Sequence, residues 1–144
     1  MGTKRPHTNP RRQKLENMKN KGGFLRIKGE TFPYDVLVCL GVKREEILAY
    51  FDKHFVDALS PKDLENLEMK GHGRVVRLDN NAFVLWTADF PKTPEQFGWL
   101  AHEIFHTADL MLRKSGATLS DDSDEVWAYQ IDWLTKIIFK AFKL

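Results

Sequence analysis

Residues 93–116 read TPEQFGWLAHEIFHTADLMLRKSG, and their spacing predicts one long amphipathic helix. Thr93 suits the N-cap, Pro94 the first helical position, and Glu95 the first turn, where a negative charge meets the positive end of the helix dipole. Arg113 and Lys114 fall in the last turn, and Gly116 stands where a helix end calls for a left-handed residue. Phe97, Leu100, Ile104 and Phe105 supply most of the apolar surface. The same helix carries His102, Glu103 and His106, an H-E-x-x-H pattern. Residues four apart share a helix face, one turn above the other, so both imidazoles can offer a nitrogen to one ion at about 2.0–2.1 Å. Zinc is the ion this ligand chemistry suits best, although another divalent metal can occupy such ligands. Glu103 lies on the adjoining face, where it can reach a water on that ion without binding the ion itself. It is the expected general base.

Catalytic zinc takes three protein ligands and keeps a fourth position for water. The acids after His106 are Asp109, Asp121, Asp122, Asp124, Glu125 and Asp132. Asp109 would have to reach back past His106 on a short side chain. Asp121 and Asp122 belong to the polar loop ATLSDDS, residues 117–123. Glu125 opens a second helix, DEVWAYQIDWLTKIIFKAF, expected from about Ser123 to the C-terminus. The loop lets that helix run back alongside the first, and a glutamate side chain is long enough to aim across. Glu125 is therefore the favoured third ligand. Asp109, seven residues after His102, is the candidate partner for an imidazole N–H, with an exposed helix charge as the alternative. Tyr129, one turn beyond Glu125, is the candidate O–H donor to a developing oxyanion, with a partly buried packing tyrosine as the alternative.

Upstream, FLRIKG (24–29) alternates apolar and polar residues as a half-buried strand does, and YDVLVCLG (34–41) is continuous enough for a central strand. VKREEILAYFDKHF (42–55) places Ile47, Leu48, Phe51 and Phe55 at helical spacing. SPKDLENLEM (60–69) opens with a Ser60 cap and Pro61. GRVVRLDNNAFVLWTADF (73–90) reads as a hairpin turning at Asp79, Asn80 and Asn81, with Phe83, Val84, Leu85 and Trp86 as core residues. The expected class is α+β: a small mixed or antiparallel sheet, the H-E-x-x-H helix and a C-terminal helix.

His102, Glu103, His106 and Glu125 together resemble the gluzincin clan of zinc metallopeptidases, in which the H-E-x-x-H helix is followed by a second helix bearing a glutamate ligand. Eighteen residues separate His106 from Glu125, and Ala128 places a small residue one turn after the ligand, as the clan does. The stretch AHEIFHTADLML…DSDEVWAYQIDWLTKII is similar to small metallopeptidases encoded by phages and prophages. The resemblance covers about residues 83–136. It implies a minimal zincin-like domain, a zinc cofactor and a peptide or protein substrate laid along an edge strand just before the helix, the place AFVLWT (82–87) occupies. It also implies a host-cytoplasm or virion location. The chain departs from the clan at Tyr129, where thermolysin-like members carry an aspartate that supports a histidine ligand. Either another residue supports the imidazole or the site is degraded.

At 144 residues the chain is the size of one domain, read here as a basic arm over 1–23 and a metallopeptidase-like domain over 24–144. Residues 1–28 hold nine Lys or Arg against Glu16 alone, a net of +8, which leaves −6 on the rest given a total of +2. The arm, with a short helix expected around Gln13 to Lys19, suits a solvated tail, an acidic virion or assembly partner, or nucleic-acid phosphates. It lacks the interleaved aromatics that stack on bases. The single cysteine, Cys39, lies in an apolar run and reads as a buried thiol compatible with the cytoplasm. No run approaches the roughly 20 apolar residues of a membrane span, and no apolar signal segment follows the basic start. His7, His54 and His72 share no ligand spacing and read as surface or turn residues. Two other functions fit the same residues: a catalytically silent metal-binding phage structural protein, and a nucleic-acid-associated accessory protein using the arm.

Overall fold

Two apolar runs build the middle of the protein. Every residue of β2 (Val36–Leu40) and of β4 (Phe83–Thr87) is buried. Strands covered on both faces need no polar alternation, which is why VLVCL and FVLWT are almost wholly apolar. A computed structural model, describing residues 22–29 and 32–144, pairs them in parallel, with Val36 opposite Phe83 and Leu40 opposite Thr87. Parallel pairing needs a long crossover. It is supplied by α1 (Arg44–His54), α2 (Pro61–Asn66) and β3 (Gly73–Arg77). The first strand, β1 (Gly23–Ile27), lies antiparallel on β2, and β3 lies antiparallel on β4. The result is a mixed four-stranded sheet in the order β1-β2-β4-β3. The architecture is α+β, as expected. Nearly all of the basic arm, with the helix read over Gln13 to Lys19 and His7, lies outside the described residues.

One expectation is corrected. Residues 82–87 do not form the edge strand before the H-E-x-x-H helix, because β4 is interior and β3 is the edge. The hairpin folds β3 outward while the other side of β4 pairs with β2. Arginines at 74 and 77 of GRVVR fit an edge, where long cations reach water, and the apolar β4 does not. The turn itself forms where the sequence placed it. Leu78 N–H donates to Ala82 O at 2.8 Å, Asn81 takes φ 64°, and Asn80 Oδ1 accepts from Ala82 N–H at 3.1 Å.

Each sheet face has its own core. On one face Val38, Leu40, Phe83 and Leu85 pack against two helices, α3 (Pro94–Lys114) through Leu100, Ile104 and Ala108, and α4 (Asp124–Phe142) through Leu134, Ile138 and Phe142. On the other, Leu37, Cys39, Val84 and Trp86 pack against Ile47 and Phe51 of α1 and Leu67 after α2. Trp86 Nε1 donates to Val42 O at 2.8 Å, which satisfies its one donor inside the core. Burial pushes the Cys39 thiol well above its usual pKa, so the thiol is inert. Among the described residues no helix is long and apolar enough to cross a membrane.

The capping devices act as read. Thr93 Oγ1 accepts from Gln96 N–H at 3.3 Å while Gln96 Oε1 accepts from Thr93 N–H at 3.2 Å, a reciprocal pair that opens α3. Gly116 ends the helix at φ 89°. Gly98 is different: it lies exposed inside α3, and a Cβ there would meet no atom within 4 Å. Glycine in a helix interior costs about 1 kcal/mol relative to alanine. Gly98→Ala is therefore expected to stabilise the protein by about that amount, read as a higher urea midpoint with an unchanged slope.

Candidate metal and catalytic site

The face of α3 formed by residues 99, 102, 103 and 106 looks toward the edge strand and solvent. His102 and His106 are both exposed, and their Nε2 atoms converge to 3.0 Å with the rings at 75°. A tetrahedral ion at about 2.0–2.1 Å from each nitrogen would hold two imidazole nitrogens roughly 3.3 Å apart, so the pair fits a zinc ion with little movement. Helix geometry alone brings them together, because both atoms hang from one rigid element.

Glu103 is placed quite differently. One residue round the helix from His102, it turns inward and is 7% exposed. Burial raises its pKa above the usual carboxylate value, and the neighbouring His102 and His106 offset only part of that. Its carboxylate lies beside Gly73 at the start of β3. Gly73, Arg74 and Val75 of the strand and His102, Glu103, His106 and Asp109 of the helix line a groove of about 380 Å³.

The strand beside this groove has free main-chain groups. At the two ends of the β3–β4 ladder, Ala88 N–H donates to His72 O at 2.9 Å and Leu78 N–H donates to Ala82 O at 2.8 Å. Bonded residues alternate along an antiparallel strand. Residues 74 and 76 thus turn toward β4, and Gly73, Val75 and Arg77 turn their N–H and C=O groups outward. Among the described residues no strand lies beyond them. This edge escaped the sequence reading, although the arginine-flanked valines of β3 carried a signal for it. His72 also proves less isolated than its spacing suggested. Its ring stacks on Trp99, one turn before His102, with centroids 3.7 Å apart and planes at 9°.

The remaining candidates are dispersed. Asp109 borders the groove, but its Oδ1 accepts from Arg113 Nε at 2.8 Å and from Trp127 Nε1 at 3.1 Å. It ties α4 to α3 beside the histidines, and among the described residues no hydrogen bond joins it to an imidazole. Glu125 stands exposed in the first turn of α4, two residues before Trp127. Among the described residues no three His, Cys, Asp or Glu side chains stand together as a metal-holding group, so the structure brings together the two histidines and leaves Glu125 apart from them. Tyr129 is 70% exposed and lines a second cavity, with Gly29, Met111 and Trp133, rather than the groove.

Comparison of the chain with protein-family models, curated proteins and solved structures finds no match.

Proposed function

We propose that the protein is a zinc-dependent metallopeptidase acting on extended peptide segments. One observation carries the reading: a buried glutamate lies between a converging imidazole pair and an edge strand with free main-chain groups. His102 and His106 would hold the ion, and Glu125, which stands apart from the two rings, would complete the site only by a movement of the exposed first turn of α4 toward them. The bound ion would lower the pKa of a water to about 7 and polarise a substrate carbonyl. A substrate strand pairs with the outward N–H and C=O groups of Gly73 and Val75, which sets its main chain parallel to the groove floor. Glu103 accepts the water's proton at its carboxylate and delivers it to the leaving amine. The low-dielectric setting of that carboxylate raises its proton affinity, which suits a group that must take a proton and then hold it until the amine departs.

The test combines metal analysis with a library of unstructured, fluorescence-quenched peptides. Wild-type protein is expected to carry one zinc per chain and to cleave members of the library, with activity lost to a chelator and restored by zinc. His106→Ala is expected to lose both metal and activity. Glu125→Ala is expected to weaken zinc retention on dialysis by at least about tenfold. Equal zinc in wild type and Glu125→Ala would move the third ligand to another acid. Stoichiometric zinc with no cleavage of any peptide would establish the catalytically silent metal-binding protein instead.

A further inference from the structure

We propose that Gly73 is a positioning residue for Glu103: its missing side chain leaves the space beneath the edge strand that the Glu103 carboxylate occupies. The proposal deepens the peptidase reading and rests on it for its catalytic consequence, while the spacing itself is a property of the fold.

A Cβ built on Gly73 would lie 2.8 Å from Glu103 Cγ, 3.0 Å from Oε1 and 3.1 Å from Cδ. Real side chains do not tolerate the shortest of these contacts. The glycine is not there for its backbone angles. Gly22, Gly41, Gly71 and Gly116 take positive φ, and Gly73 does not. What glycine supplies at 73 is room.

Something must yield if that room is filled, and the surroundings decide what. The strand is tied to β4 on one side, where Ala88 N–H donates to His72 O at 2.9 Å. It is pinned to α3 on the other by the stacked rings of His72 and Trp99. The helix cannot withdraw, because Leu100, Ile104 and Ala108 are wholly or almost wholly buried in the core beneath it. The Glu103 side chain is the flexible partner. A methyl group at 73 displaces the carboxylate from its seat beside the strand, which changes its distance and angle to a water held by the two histidines and opens it to solvent. The N–H and C=O of residue 73 still face outward, so strand pairing with a peptide survives. The substitution therefore separates binding from chemistry.

Full-length, zinc-loaded wild type, Gly73→Ala and Gly98→Ala are compared on the library peptide that wild type cleaves fastest. Zinc content and melting temperature are measured on the same samples. In the metal-free proteins, labelling of Glu103 by a water-soluble carbodiimide is mapped by mass spectrometry against exposed Glu125. Gly73→Ala is expected to lower kcat by about 100-fold, the scale of a misplacement of about 1 Å, with KM within about threefold. Zinc content and melting temperature stay at wild-type values or above, and Glu103 labels severalfold faster. Gly98→Ala keeps wild-type kcat. A kcat within about twofold of wild type, or unchanged labelling of Glu103, overturns the proposal. So does a loss of kcat matched by loss of zinc or of folding. A wild-type protein that cleaves no peptide overturns the peptidase reading alone, and the labelling comparison then decides whether Gly73 sets the position of Glu103.

Discussion

On the metallopeptidase reading, Glu103→Gln is expected to lower peptide hydrolysis by about 10³-fold with zinc content equal to wild type. The amide has the shape of the carboxylate and leaves His102, His106 and Glu125 untouched, but it cannot take a proton from water. The check is kcat/KM on a quenched peptide beside metal analysis of the same sample. Wild-type activity in the variant would remove Glu103 from the mechanism. The same substitution has a stability consequence of opposite sign. Burial raises the Glu103 pKa in the folded, metal-free protein above its ordinary value of 4.5. The native state therefore binds the proton more tightly than the unfolded chain does. Its favourable contribution is complete below the unfolded value and is lost as the pH rises through the folded one. At neutral pH the ionised, buried carboxylate is a cost, and glutamine removes it. Metal-free Glu103→Gln should melt above wild type at pH 7, with the advantage shrinking as the pH falls through the raised folded value and gone below about pH 4. A variant that melts below wild type at pH 7 would contradict this account.

Trp127→Ala should produce the largest loss of stability near the site, about 3–5 kcal/mol by urea unfolding. Trp127 is 2% exposed and fills the space where α4 meets α3. Its indole N–H also donates to Asp109, beside the histidines. Alanine removes both the packing and the hydrogen bond. Trp127→Phe keeps most of the volume and isolates the N–H. A hydrogen bond to a carboxylate is worth about 1.5–3 kcal/mol, and Asp109 retains Arg113 after the change, so the lower end of that range applies. A Trp127→Phe variant as unstable as Trp127→Ala would mean that the hydrogen bond outweighs the packing. On the proposed ligand set, zinc retention should also fall in Trp127→Ala, because the Trp127–Asp109 hydrogen bond ties the first turn of α4, which carries Glu125, to α3.

Local chemistry in the chain was enough to define α3. The Thr93 cap, Pro94 and Gly116 set its limits through interactions within a few residues, and the tertiary fold had only to leave them alone. The convergence of His102 and His106 follows from the same locality, since a four-residue separation on a helix fixes two side chains on one face whatever surrounds it. The turn at Asn80 and Asn81 and the strand character of VLVCL and FVLWT were legible for the same reason. Neighbours along the chain supply the backbone angles, and an unbroken apolar run announces burial on both sides. Which strand would be the edge was not legible. Periodicity describes the faces of a strand and says nothing of its two sides, so pairing β2 with β4 and sending β3 outward was settled by long-range packing. The same holds for Glu103 beneath Gly73, thirty residues apart in the chain, and for Glu125, whose helix is rotated by the burial of Trp127, Leu134 and Ile138. Distances within one element come from bond geometry, whereas distances between elements come from how their apolar faces fit, and only the assembled core determines that fit.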